Sequence, residues 1–211
     1  MNIIIFGATG LVGKQLVKQA LHMGHHVKAY GRNVFTEDLP ENKEVELIQG
    51  ALFDEKQVLN AIKGCDAVLS ALGGSFDGTD FSRSLGIKNI VAQMQKVNLK
   101  RIVAVGNIGI LNTSAEDATL IMDQPDFKPE YIPVSTEHFK AYNFLKASTL
   151  NWTLVCPPDI TDAEVTGLYI TNADFPPAKN KYRINAGDLA MFMLKEMTAC
   201  EYLQHRVGIS N

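Results

Sequence analysis

The chain opens Asn2-Ile3-Ile4-Ile5-Phe6-Gly7-Ala8-Thr9-Gly10-Leu11-Val12-Gly13, and the fold follows from how this stretch is read. The β-branched run at 2–6 has the length and composition of a buried strand, and Gly7 ends it. Apolar residues then recur at helical spacing through Leu11, Val12, Leu16, Val17, Ala20 and Leu21, which predicts a helix over 11–23. Gly24 stands where a helix ends in a left-handed residue, and 26–30 reads as a second strand. Strand, glycine turn, helix and strand thus occupy the first thirty or so residues.

The alternation continues. Further strands are expected at 45–49, 67–71, 101–105 and 152–156, separated by helices at 55–63, 80–97 and 134–147, with Asp54 and Gln57 placed as a capping box. Strands alternating with helices imply an α/β protein: a single-domain Rossmann fold, its doubly wound and mostly parallel sheet covered by helices on both faces. After Pro157-Pro158 the pattern weakens. Residues 159–180 read as loop with a strand around 168–171, followed by a short extended piece at 182–185, a helix at 186–198 and a last strand near 206–209. The expectation is one domain over 1–211, with a core to about 158 and a small C-terminal lid with a closing helix and strand over 159–211.

Composition narrows the function. With 211 residues, 46% hydrophobic and 20% charged, the chain can build one substantial core but no second full domain. The formal charge of -3, with no dense run of Lys or Arg, argues against a nucleic-acid partner. No stretch has the length of a membrane span or the form of a signal peptide, so a cytoplasmic protein without membrane partners is expected, as a monomer or small homo-oligomer. Cys65, Cys156 and Cys200 are widely spaced, which favours reduced core thiols over a metal or redox role. His22, His25 and His26 lack nearby carboxylate or thiolate partners, and no metal is expected.

The glycine turn points to a ligand. Gly7 suits the tight turn, Gly10 lets backbone approach a pyrophosphate, and Gly13 lets helix and sheet pack closely, while the helix N-terminus offers N–H groups and a positive dipole end. At the end of the second strand Tyr30-Gly31-Arg32-Asn33 carries no acid to hold a ribose 2′-hydroxyl. Arg32 would instead pair with a 2′-phosphate, so NADP(H) is favoured over NAD(H), the alternative being that Arg32 is a solvated surface residue.

Taken together, Gly7-Ala8-Thr9-Gly10-x-x-Gly13, Arg32-Asn33, Gly64-Cys65-Asp66-Ala67-Val68 and Asn151-Trp152-Thr153-Leu154-Val155-x-Pro157 resemble the atypical short-chain dehydrogenases/reductases, in particular the NAD(P)H-binding or NmrA-like group. Glu137-His138-Phe139-Lys140, Thr166-Gly167-x-Tyr169 and Asp188-Leu189 extend the likeness, most of all to its biliverdin-IXβ and flavin reductases (NADPH). The resemblance implies that Thr9, Gly10, Leu11 and Val12 wrap the pyrophosphate and that Arg32 and Asn33 meet the 2′-phosphate. It also implies Ala51 and Leu52 under the adenine, Leu72 and Gly73 near the riboses, and Val105, Gly106, Asn107, Pro157 and Pro158 around the nicotinamide.

Three residues are candidates for the chemistry. Asn107 follows the fifth strand, at the sheet edge where ligands bind, and a carboxamide there can polarise a carbonyl or orient the nicotinamide. His138 can donate a hydrogen bond or a proton near neutral pH, or be a satisfied packing residue. Asp159 follows the two prolines, where an ionised carboxylate would disfavour an anionic acceptor. Tyr142 and Lys146 share the spacing of a proton-transfer pair, but the resemblance places the catalytic lysine of that superfamily further before the strand-ending proline, at His138; a packed tyrosine and a solvated lysine are expected, with the proton-transfer pair as the alternative. Gly109 and Asn112 supply no aromatic surface for a flat acceptor. The expected activity is NADPH-dependent reduction of a small conjugated acceptor of the flavin, quinone or biliverdin type; the alternative is an NmrA-like NADP(H)-binding redox sensor without catalysis.

Overall fold

The computed structural model describes residues 1–35, 39–179 and 181–211. Strand β1 (Asn2–Phe6) leads through Gly7 to Gly10 into helix α1 (Leu11–His22), and β2 (His26–Gly31) and β3 (Val45–Gln49) follow on the same side of the sheet. Then come α2 (Glu55–Ile62), β4 (Ala67–Ser70), α3 (Ser82–Lys96), β5 (Arg101–Val105), α4 (Ile132–Lys146) and β6 (Asn151–Cys156). The C-terminal part holds β7 (Asp159–Thr161), β8 (Ile170–Ala173), β9 (Arg183–Asn185), α5 (Ala186–Ala199) and β10 (Arg206–Ser210).

The main sheet has the order β3-β2-β1-β4-β5-β6-β10-β8, parallel throughout except where β8 runs antiparallel to β10. Its first six strands have the doubly wound dinucleotide-binding order, which reverses between β1 and β4 and opens a crevice beyond their carboxyl ends. Alternation along β1 builds the two sides of the core. Ile3 and Ile5 join Leu16 and Val17 of α1 and Leu189 and Met193 of α5. Ile4 and Phe6 join Ile62, Ile90, Met94 and Leu145 on the face covered by α2, α3 and α4. Both faces are dry, which is why β1 is uniformly apolar rather than alternating with polar residues.

Local signals explain the element ends. Gly24 adopts φ +78° and closes α1, with the His25 N–H donating to the Ala20 carbonyl at 3.0 Å. Asp54 caps α2 by accepting from the Gln57 N–H at 3.0 Å, and the Gln57 side chain in turn holds the Ala51 N–H at 2.8 Å.

The last fifty residues do more than cover a finished core. Here β10 pairs with β6 inside the main sheet and α5 packs beside α1, so the core extends past residue 158 to the end of the chain. Only β7 and β9 form a separate two-stranded sheet: β7 falls in the segment 159–180 expected to be largely loop, of which residue 180 lies outside the described residues, and β9 falls on the extended piece expected at 182–185. Asp188 ties this region down. Fully buried, its carboxylate accepts from Thr166 and Gly167 N–H at 2.7 Å and from the side chains of Thr166 and Asn211 at 2.8 Å. Burial alone would raise its pKa, but these donors outweigh it and hold the carboxyl below its usual value.

A second buried network joins sheet and helix. Glu196 of α5 forms an ion pair with Arg101 of β5 at 3.0 Å and accepts from the Thr153 hydroxyl at 2.9 Å and the Tyr202 N–H at 3.0 Å. The three cysteines are free; burial pushes the Cys156 thiol well above its usual pKa, as suits an inert core residue. No described helix is long and apolar enough to cross a membrane.

Candidate active site

The glycine turn is shaped by sterics. Gly7 has φ +77°, and a Cβ there would strike the carbonyl of Ala71, so the turn lies directly against the end of β4. A Cβ on Gly13 would overlap the Gly7 carbonyl and the Ala8 backbone, so α1 can sit this close to β1 only with glycine at that position. Gly10 is different: its Cβ would meet only the Gly7 carbonyl, at 3.5 Å, which is an ordinary contact. The space beside Gly10 is open, as required if a ligand rather than the protein approaches its backbone. Gly10 is also the N-cap of α1, with no side-chain cap and no acidic residue in the first helical turn. The free N–H groups and positive dipole end therefore face outward without a competing anion, which fits a pyrophosphate.

A cleft of about 1150 Å³ runs from this helix end along the carboxyl edge of the sheet. Of the residues expected to bind a cofactor it is lined by Gly10, Leu11, Val12, Leu72, Gly73, Val105, Gly106, Asn107, Pro157 and Pro158. Gly7, Thr9, Arg32, Asn33, Ala51 and Leu52 lie outside its walls. Arg32 and Asn33 are exposed just beyond β2, whose end is in register with that of β3 at Gly31 and Gln49. The Gln49 side chain donates to the Arg32 carbonyl at 2.8 Å, and the Tyr30 hydroxyl to the Ala51 carbonyl at 3.0 Å, joining the two strand ends. The Leu52 and Leu72 side chains pack over Gly86 of α3.

Asn107, His138 and Asp159 all line the same cleft. Asn107 follows β5, and its Nδ2 donates to the Ser135 hydroxyl of α4 at 2.8 Å while the buried Oδ1 has no protein partner. His138 lies one turn further along α4 and is only 6% exposed. Burial, reinforced by the positive charge of Arg83, lowers its pKa to about 3. A neutral, buried imidazole is a poor proton donor at physiological pH and fits either a hydrogen-bonding or a packing role. Asp159 is exposed on β7 at the cleft wall.

This neutrality is testable. The ring protons of His138 should show no titration in NMR spectra between about pH 5 and 8, whereas an exposed histidine would titrate near 6.5. The unfolded chain binds a proton that the folded imidazole refuses. Stability from this site is thus present above about pH 6.5 and falls progressively as pH drops below it toward 3.

The aromatic surface comes from places that sequence reading did not single out. Phe76, Phe127, Tyr131 and Tyr182 also line the cleft, on irregular segments or short turns. Phe76 and Phe127 each lie 6.5 Å from the Tyr131 ring, centroid to centroid. Gly109 is part of the arrangement: a Cβ there would press on the Ser135 hydroxyl and on Phe127, so a small residue is needed for Phe127 to pack. The lack of aromatic side chains at 109 and 112 is compensated from other loops.

Tyr142 and Lys146 lie elsewhere. Tyr142 packs edge-on against Trp152 at 5.8 Å with the Arg206 guanidinium over its ring at 4.9 Å, and Lys146 is exposed. No group of three or more potential metal ligands occurs among the described residues.

A doubly wound sheet with an uncapped, glycine-led helix at its switch point defines a Rossmann-type dinucleotide-binding protein. The family model described as NAD(P)H-binding matches residues 7–199, and the chain belongs to that family. It is 26% identical to YwnB of Bacillus subtilis (strain 168) over 214 residues, covering 99% of this chain and 98% of that protein. Among solved structures it is similar to SP1627 of Streptococcus pneumoniae TIGR4, assigned by name as an NADH-flavin reductase. The TM-score is 0.87 with 26% identity, covering 100% of this chain and 99% of that one. A wide-type short-chain dehydrogenase/reductase of Veillonella parvula DSM 2008 in complex with NADP shares the fold, with a TM-score of 0.76, 18% identity, and coverage of 100% and 94%.

Proposed function

We propose that the protein is an NADPH-dependent reductase that passes hydride to a small conjugated acceptor of the flavin, quinone or biliverdin type. The observation that carries this reading is that one cleft is lined by the open N-terminus of α1, by Asn107 and by aromatic side chains. The helix end suits a pyrophosphate and the aromatic surface a flat ring. The name of the Streptococcus pneumoniae neighbour supports a flavin acceptor.

In this reading the N–H groups at Leu11 and Val12 hold the pyrophosphate beside the open backbone of Gly10, Val105, Gly106, Pro157 and Pro158 border the nicotinamide, and Asn107 offers its carboxamide to cofactor or acceptor. The bound nicotinamide supplies the hydride. The chain's contribution is proximity and exclusion of water, which such acceptors need most. Since His138 is neutral, the proton that completes reduction comes from solvent.

Choice of NADPH rests on Arg32 and on the lack of an acid in Tyr30-Gly31-Arg32-Asn33, at the end of β2. Arg32→Ala should raise the KM for NADPH about tenfold while leaving that for NADH nearly unchanged, as expected for loss of a charge-assisted contact to a 2′-phosphate. An unchanged NADPH/NADH ratio in steady-state kinetics would refute the assignment.

The second reading is an NADP(H)-binding sensor that reports redox state to a partner protein. It draws on the neutral His138 and on Asn107, neither of which can serve as a proton relay at neutral pH.

A further inference from the structure

Among the described residues the cleft wall contains one buried cation, beside an aromatic ring. Arg83, in the first turn of α3, is 5% exposed and forms part of the cleft wall. Its Nη1 donates to the Ser75 carbonyl at 2.9 Å and its Nη2 to the Gly74 carbonyl at 2.8 Å, while Nε–H is buried without an acceptor. Among the described residues no carboxylate forms an ion pair with it, in contrast to Arg101, whose charge is met by Glu196. The acids nearest in influence are already engaged. Asp80 accepts from the N–H groups of Ser75 and Ser82, and Glu137 from the Ser84 hydroxyl and the Lys140 ammonium.

A buried charge is ordinarily paired, because leaving one unpaired costs several kcal/mol of desolvation. A guanidinium cannot escape that cost by losing its proton. Here two neutral carbonyls hold the group in place at the wall of a ligand-sized space, and the carboxylates of Asp80 and Glu137 act on its charge only from beyond ion-pair distance. The Phe76 ring lies over it, 5.5 Å from centroid to guanidinium carbon, and is 60% exposed, so an apolar surface and a positive charge are presented side by side. We infer that the acceptor carries an anionic group, a carboxylate in the simplest case, and that Arg83 is the residue that selects it. This rests on the reductase reading only in naming the ligand an acceptor. Asp159, the carboxylate that argues against an anion, is exposed and follows β6, while Arg83 belongs to the β4–α3 side of the cleft. The charge of the acceptor is thus directed toward α3, away from Asp159.

The test is a binding measurement that needs no turnover. Affinity is measured by calorimetry, at saturating NADP, for a naphthoquinone bearing a carboxylate and for the same ring bearing the uncharged carboxamide. The wild-type protein should bind the carboxylate about tenfold more tightly, and the advantage should shrink as salt is raised. Arg83→Gln should abolish the preference, Arg83→Lys should retain part of it because the charge remains, and Lys128→Ala, which removes the exposed cation of the same cleft, should leave it intact. Equal wild-type affinities, or a preference that survives in Arg83→Gln, would overturn the inference. If Arg83→Gln does not fold, the wild-type pair and its salt dependence decide. Binding of the carboxylate without NADPH oxidation would contradict the reductase reading and leave the anion site standing; oxidation with equal affinities would do the reverse.

Discussion

Gly13→Val is expected to lose dinucleotide binding and to unfold more readily than the wild-type protein. Even a Cβ at this position overlaps the Gly7 carbonyl and the Ala8 backbone, and backbone cannot yield as a flexible side chain can. Either α1 moves away from β1 or the turn distorts, and both displace the N–H groups that would hold a pyrophosphate. Overpacking of this kind costs about 1–3 kcal/mol, and misplacing the anion cradle should weaken NADPH binding by at least about tenfold. Urea denaturation and fluorescence titration with NADPH measure the two losses separately. Gly10→Ala gives the contrast. With only an ordinary contact to accommodate, it should fold normally while binding the cofactor less tightly. Equal effects at both positions would show that the difference between packing and ligand approach has been misread.

Glu196→Ala should produce the largest loss of stability. The carboxylate is 2% exposed and is the ion-pair partner of Arg101, and it also accepts from Thr153, Glu201 and Tyr202. Removing it leaves a buried guanidinium uncompensated and several donors without an acceptor. Breaking such a pair from one side costs about 3–5 kcal/mol, a large share of the total stability of a domain. The network lies between β5, β6 and α5, away from the cleft, so the folded fraction should bind NADPH with unchanged affinity. A midpoint shift in urea equivalent to less than about 1 kcal/mol would mean that α5 is held by its apolar face alone.

The strands β1 to β6 were legible because short runs with apolar cores, such as Ile3 to Phe6 and Ile102 to Val105, alternate with helices that carry a 3.6-residue period. The turn after β1 was legible for a different reason: Gly13 is demanded by the backbone of its own turn and Gly7 by its positive φ, and both are local constraints written in local sequence. What escaped depends on distant partners. Strand β7 is three residues long and exists only by pairing with β9 across more than twenty residues; the extended piece at 182–185 was visible, but not its partner. The aromatic wall joins Phe76, Phe127, Tyr131 and Tyr182 from three separate segments, none with a periodic pattern. Arg83 would be read from sequence as part of a solvated helix face, and only the fold buries it. The burial that neutralises His138 is likewise tertiary. Its position on the helix could be read from the sequence, but the state of its proton could not.

The central claim is that the cleft brings a hydride donor and a conjugated acceptor together, and steady-state oxidation of NADPH tests it most directly. With FMN, a naphthoquinone or biliverdin as acceptor, the account predicts turnover with at least one of them, a rate that does not follow the protonation of a histidine between about pH 6 and 8, and slower use of NADH. Tight NADPH binding with no oxidation by any of these acceptors would contradict it and leave the protein as a sensor of the cofactor.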